Sequence, residues 1–504
     1  MRKAEWIALF ISLAGVAAAF LVAVRVFEAV PHVEDEMAYV WQAKVLLHGQ
    51  MTVPTPPEPA GMTVPFVVNT LGHRSAKYPP GWPMLLALGI GLGVRTWVNP
   101  LLGGLAVWLT FRLGQKIINS LAGLLAALLM AVSPFFLMLS GSLDSNAWSL
   151  VLSIIFCIAW LDTFHLGHEA EPASARPVPP WLTIALAGLS LGCLIITRPL
   201  TALGVAIPFF IHGLLLLWRG DGSARRHVLT IGAIALLVGA LFPAWQYAVT
   251  GNPFIDPYTL WWSFDRIGFG PGIGLAAGGH TVRLGLENAR LMLAQLWKDL
   301  FGWVNFSWLF LPYGLWALRK NRAAWLIFCV FISLVICYVF YWAPVVRYGP
   351  RYYYEGIFGL ALVSAAGMLW LAGLLRRSDW HGLRVGLVGA MVVCLIGYNL
   401  AVYLPARFKE IYGLYGVHAA QLAPFKTAQA QALTPALVIV HTQKSWTEYA
   451  GLLELEDPWL TSPFIFAWSS NSSISDGTLA AQYPGRKTIY YYADQPGKFY
   501  FSPR

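Results

Sequence analysis

Eleven apolar runs punctuate this chain, and nothing constrains its fold more than they do. They cover residues 6–24, 97–113, 121–139, 147–164, 181–197, 201–218, 228–249, 303–318, 323–341, 353–375 and 383–404. A helix crosses a bilayer core with roughly 20 apolar residues, and it satisfies its own backbone N–H and C=O groups as it does so. Each run is therefore a candidate span, and the fold class is an all-α polytopic membrane protein. Of the 504 residues, 57% are hydrophobic and only 12% charged, which excludes a soluble domain. The formal charge of +10 does not mark a nucleic-acid binder, because the basic residues sit in short clusters between apolar runs, as the positive-inside rule expects. The five cysteines all fall within apolar runs and lack metal spacing, so they read as small packing residues.

Charge also sets the topology. Arg2 and Lys3 precede the first run and place the N-terminus in the cytoplasm. The stretch 80–94, PGWPMLLALGIGLGV, is apolar but short and rich in Gly and Pro. Counted as a span, it would put Arg219, Arg225 and Arg226, then Arg319, Lys320 and Arg322, then Arg376, Arg377 and Arg384 outside. Counted as a juxtamembrane helix, it puts all of them inside with Arg112 and Lys116. The second reading gives about eleven spans in a plasma (inner) membrane, with the C-terminus external or periplasmic. Residues 1–405 then form the membrane domain, and residues 31–96 and 251–298 are its two large external loops. Residues 281–300 carry apolar residues at helical spacing and predict a helix flat on the bilayer. The tail, 406–504, loses the long runs and gains strand-like pieces at Ala436, Thr488 and Lys498, which predict a small external α/β domain.

The first external loop opens with Glu34, Asp35 and Glu36, after which Met37, Ala38, Val40, Trp41, Val45 and Leu46 recur at roughly helical spacing. This predicts an amphipathic surface helix with acids at its start. Acids beside a membrane are expensive unless they work or are paired, although an acid cluster can also simply complement a helix dipole. His32 and His73 flank the acids without metal-ligand spacing. No cofactor is required on this reading, and a divalent cation near Asp35 and Asp144 is left open.

Asp35, Glu36 and Tyr39 form a D-E-x-x-Y pattern just after the first span, and Y-P-P-G-W-P, beginning at Tyr78, closes the same loop. L-S-G-S-L-D-S-N ends at Asn146, T-R-P-L contains Arg198, and G-N-P-F-I-D-P-Y ends at Tyr258. In this order, on one face, the set resembles the lipid-dependent glycosyltransferases of the GT-C fold, in particular the protein O-mannosyltransferase and aminoarabinose transferase branch. The resemblance implies transfer of a sugar from a polyprenyl-phosphate donor to a lipid, glycan or protein acceptor on the external face. The first-loop aspartate would be the general base, and the reaction inverting.

On that reading the catalytic candidates are Asp35, Glu36 and Asp144, since an attacking hydroxyl needs a carboxylate to take its proton. Cations must meet the leaving phosphate, and the candidates are Arg351, Arg198, Lys77, Arg74 and Arg347. Tyr39, Tyr78, Tyr258, Trp261 and Trp262 are candidate substrate contacts, although an interfacial aromatic belt needs no such role. Asp144 is equally placed to cap a helix, and Arg198 to neutralise Glu36 or Asp144. The rival reading is a transporter or flippase of lipid-linked sugars, which would carry polar groups through the middle of the membrane. These acids stay near one edge.

Overall fold

The computed structural model describes residues 3–167, 179–375, 381–443, 445–469 and 475–504. Arg2, Arg376 and Arg377, three of the residues used to set topology, lie outside the described residues. By length and composition, seven described helices can cross a membrane: Lys3–Arg25, Asn146–Thr163, Pro199–Arg219, Gly222–Thr250, Arg322–Val339, Arg351–Leu371 and Gly382–Gly416. Ser120–Ala131 and Pro134–Gly141, bent by 63°, make an eighth if taken as one span. The bend falls where Pro134 interrupts the backbone ladder and Ser133 caps the second piece by accepting from the Phe136 N–H.

The remaining three expected runs are also helical but depart from regular spans. Val98–Ile117 is long enough but carries Asn99, Thr110, Arg112, Gln115 and Lys116, and Pro180–Ile195 has 16 residues. The run 303–318 contains only a short turn at Val304–Phe306 and a seven-residue helix, Leu311–Ala317. That helix lies tight against Ile357–Leu371. A Cβ on Gly314 would strike the Val363 carbonyl, and one on Gly367 the Phe310 carbonyl. Close approach of this kind needs glycine on both helices. Gly314→Leu and Gly367→Leu should each abolish most of the monodisperse protein in gel filtration, whereas Gly389→Leu, with open space around its Cβ position, should elute as wild type.

The stretch 80–94 forms the helix Gly81–Gly91, eleven residues or about 16 Å long, too short to cross. The first-loop helix, Glu34–Leu47, is not the amphipathic surface helix its spacing predicts, because it is buried on several sides. Ala38, Tyr39 and Ala43 pack with Tyr78, Trp82 and Leu86, Trp41 and Val45 with Val53, Val64 and Val67, and Met37 with Val417 and Ala450. Its second partner is the C-terminal region, which covers it from above. A small antiparallel sheet, Val53–Pro54, His73–Ala76 and Val67–Thr70 in that order, completes the loop.

Residues 436–492 form a parallel three-stranded sheet with Ala436–His441 between Phe464–Trp468 and Lys487–Tyr492. Two of its strands match the predicted pieces. The strand Phe464–Trp468 was not among them, and the piece at Lys498 contributes only a bridge from Tyr500 to Tyr490. The sheet is fastened to the first loop by Lys44 Nζ on the Glu456 carbonyl at 2.8 Å, Arg95 on Glu454 at 2.7 Å, and Trp468 N–H on the Gly61 carbonyl at 2.7 Å. The helix predicted at 281–300 is Val282–Asp299, and it buries one stripe, Gly285, Ala289, Met292, Leu296 and Asp299.

Candidate active site

Glu36 builds the corner on which the site stands. One carboxylate oxygen accepts from the His32 N–H at 2.7 Å and the Val33 N–H at 3.4 Å, which satisfies donors at the helix start. The other accepts from the Leu143 N–H at 2.9 Å and so ties this helix start to the turn carrying Asp144. Glu36 is 1% exposed, and burial pushes its pKa up to about 7, against its backbone donors and with help from the Asp144 charge. Both its oxygens are committed to the backbone. Its neighbour Asp35 faces the charged cluster instead.

Asp35 Oδ1 accepts from the Tyr78 hydroxyl at 2.5 Å, and Oδ2 lies 3.1 Å from Arg351 Nη2. Arg351 Nη1 donates to Asp144 Oδ2 at 2.6 Å, so one guanidinium bridges the two carboxylates. Burial alone would raise the Asp35 pKa. The Arg351 charge, the Tyr78 hydrogen bond and the Lys77 charge outweigh it and hold the carboxyl below its ordinary value. Among the described residues Asp144 does not bond the N2 or N3 amides of the helix that follows it; its carboxylate accepts from the adjacent Ser145 N–H. Arg351 reaches this position because Gly349, at φ 79°, turns the chain against the Phe135 ring just before it. Its Nε is buried with no hydrogen-bond partner among the described residues.

Two further cations stand beside this bridge. Arg198 Nη1 donates to Ser145 Oγ and Asn146 Oδ1, each at 3.2 Å, and its Nε lies 3.6 Å from Glu355, not beside Glu36. Tyr39 Oη is 3.3 Å from the same Ser145 hydroxyl. Lys77 Nζ pairs with Asp265 at 3.1 Å inside an aromatic cage, 3.8 Å over Phe66, 4.8 Å from Tyr258 and 4.9 Å from Trp262. Burial lowers the Lys77 pKa, while Asp265 and Asp35 act in the opposite direction. Asp265 also accepts from the Tyr341 hydroxyl and the Trp342 indole, so it ties the long loop both to Lys77 of the first loop and to the end of the helix Arg322–Val339. Trp261 packs edge-on to Phe66, and Tyr258 to Tyr78.

Arg74 and Arg347 do not join this group. Arg74 is 2% exposed, donates to the Met62 carbonyl and faces Trp41, beneath the C-terminal sheet. Arg347 lies over Tyr415. Two carboxylates that were not among the candidate site residues belong here, Asp265 and Glu355. Buried Lys77 and Arg198 each demand a carboxylate, and that demand was the available signal for them.

His32 bonds the Val30 carbonyl and His73 is exposed on its strand. Among the described residues no three His, Cys, Asp or Glu side chains converge on a common point. The Arg351 guanidinium lies between Asp35 and Asp144, so a divalent ion bound by both would have to take its place.

No curated protein matches the chain by sequence. A family model, oligosaccharyl transferase STT3, N-terminal, matches residues 90–252. Among solved structures, ArnT from Cupriavidus metallidurans bound to undecaprenyl phosphate aligns with a TM-score of 0.57 at 14% identity, over 99% of this chain and 92% of that one. The oligosaccharyltransferase AglB from Archaeoglobus fulgidus, in complex with an inhibitory peptide and a dolichol-phosphate, aligns with a TM-score of 0.54 at 12% identity, over 95% of this chain and 69% of that one. The Archaeoglobus fulgidus oligosaccharyltransferase complexed with Zn and sulfate aligns with a TM-score of 0.50 at 15% identity, over 87% of this chain and 61% of that one. This is a multi-pass membrane protein with the GT-C fold, the fold of lipid-dependent glycosyltransferases. Within that class it resembles the STT3 type over residues 90–252 and ArnT over nearly its whole length.

Proposed function

We propose that the chain transfers a sugar from a polyprenyl-phosphate donor to a lipid, glycan or protein acceptor on the external face of the plasma membrane. The observation that carries this reading is Arg351, which bridges Asp35 and Asp144 while its buried Nε–H has no partner among the described residues. An ionised carboxylate and a free buried donor side by side suit a reaction that needs a base for one oxygen and a cation for another. The acceptor oxygen attacks the anomeric carbon and gives its proton to Asp35. The bond from that carbon to the phosphate oxygen breaks, and its electron pair leaves on polyprenyl phosphate, met by Arg351, Arg198 and Lys77. No step calls on a metal.

Tyr39, Tyr78 and the Tyr258–Trp262 segment wall the space in which sugar and acceptor meet. Translocation is disfavoured because the charges gather at one end of the bundle and the similar structures are of transferases.

The positions of the helix ends support the division of the chain's charges between two sides on which the topology rests. Lys116 pairs with Asp162 at 2.5 Å, and Asn321 donates to the Ile117 carbonyl, so those ends share one side. Asp35, Asp144, Arg198 and Arg351 meet on the other, and the pair of His418 with Glu28 there supports the same side for the C-terminal region. With the native cysteines replaced, His73→Cys should react with a membrane-impermeant thiol reagent in intact cells, and Gln115→Cys should not. Labelling at both positions would contradict this topology.

A single displacement inverts the anomeric carbon. A donor of defined anomeric configuration should therefore give a product of the opposite one by NMR coupling, and a product of retained configuration would rule out direct attack.

A further inference from the structure

At the end of the bundle away from Asp35, the helices Asn146–Thr163, Pro199–Arg219 and Gly222–Gly239 line an apolar groove with a volume of about 140 Å³. Phe156, Trp160, Phe209, Gly213, Ile231 and Gly232 wall it. Phe156 and Trp160 stand ten and fourteen residues past Asn146, or about 15 and 21 Å along the helix from the charged cluster.

Gly232 is the informative residue. Glycine weakens a helix interior relative to alanine, and inside a bundle it is usually kept where another backbone comes close. The neighbouring helix shows that case, since a Cβ on Gly188 or Gly192 would strike Ile234 or Val238. A Cβ on Gly232 would meet nothing within 4 Å. The space it leaves is filled by no part of the described chain, and it opens sideways past the exposed rim residues Phe210 and Leu214.

The groove also has a charged mouth. Its wall residues Leu217 and Val228 flank the turn between two helices, with Arg219 ending the first and Arg225, Arg226 and His227 in the first two turns of the second. The one acid in that turn, Asp221, is engaged in capping the next helix through the Ala224 N–H. All three arginines are exposed. An apolar slot that opens to the bilayer below a cluster of arginines matches an acyl chain under an anionic headgroup.

We propose that this groove binds one anionic phospholipid from the leaflet opposite the Asp35 site, with an acyl chain over Gly232 and its phosphate among Arg219, Arg225 and Arg226. The site depends on the membrane fold and is independent of sugar transfer.

The test is native mass spectrometry of the purified full chain in detergent with phosphatidylglycerol or phosphatidylcholine. Wild type should retain phosphatidylglycerol at least about fivefold better. Gly232→Leu should lose the adduct with unchanged gel-filtration elution, and Gly232→Ala, which keeps the helix with a smaller intrusion, should weaken it. Arg225→Gln with Arg226→Gln should erase the preference between the two lipids. Equal retention of both lipids by wild type, or wild-type retention by both Gly232 variants, would overturn the proposal. So would displacement of the adduct by polyprenyl phosphate, which would make the carrier's own chain the occupant.

Discussion

Asp35→Asn is expected to lower turnover by about a hundredfold or more, the usual contribution of a positioned base, while donor binding stays near wild type. The substitution keeps the size of the side chain and an acceptor for the Tyr78 hydroxyl, which now bonds Asp35 Oδ1 at 2.5 Å. It removes only the group that takes the proton. The effect should therefore fall on kcat and leave KM for the donor little changed. Glu34→Gln should be mild, since Glu34 is only part-buried at the helix start. Glu36→Gln should act differently from both. An amide cannot accept on both sides from the His32, Val33 and Leu143 N–H groups, so less folded protein is expected, with nearly normal turnover per folded molecule. An active Asp35→Asn beside an inactive but well-folded Glu36→Gln would move the base to Glu36.

Arg351→Ala is expected to weaken donor binding at least thirtyfold, roughly 2 kcal/mol or more, because it takes the shared cation from two buried carboxylates and the buried Nε–H from the donor phosphate. Without that cation, Asp35 and Asp144 would also repel an arriving phosphate. Arg351→Lys keeps the charge but cannot bridge both carboxylates and still offer a third donor, so an intermediate loss is expected. Isothermal titration with a polyprenyl-phosphate sugar, on protein of unchanged gel-filtration profile, measures both. Wild-type affinity in Arg351→Ala would place the phosphate at Lys77 and Arg198.

Much of this site was legible before any coordinates, and the reason is physical. Asp35, Asp144, Arg198 and Arg351 are charges at the edges of apolar runs, where an unpaired charge is costly, so each had to be paired or at work. The partners were harder to read. The one carboxylate in the stretch around Arg351 is Glu355, yet Glu355 pairs with Arg198, and the two carboxylates that Arg351 bridges come from residues 35 and 144. Arg198 pairs with Glu355, and Lys77 with Asp265 across 188 positions. Arg74 and Arg347 carried the same local signal as the others yet face Trp41 and Tyr415, because the C-terminal region folds back over the first loop.

The same fold-back explains the first-loop helix, whose spacing indicates one apolar face. The second face is covered by Val417 and Ala450, several hundred residues away, and periodicity within a helix cannot report that. A single stripe is easier to read: the helix Val282–Asp299 buries one face at helical spacing, although its partners, Val339 and Arg407, also lie far along the chain.

The central claim is that this chain breaks the bond between a sugar and polyprenyl phosphate with Asp35 as base. It is tested most directly by supplying purified protein in lipid nanodiscs with a panel of polyprenyl-phosphate sugars and candidate acceptors, and measuring release of polyprenyl phosphate. Release from at least one donor by wild type, reduced about a hundredfold in Asp35→Asn, is the predicted result. Equal release by wild type and Asp35→Asn, or movement of intact donor across the bilayer with no release, would contradict it.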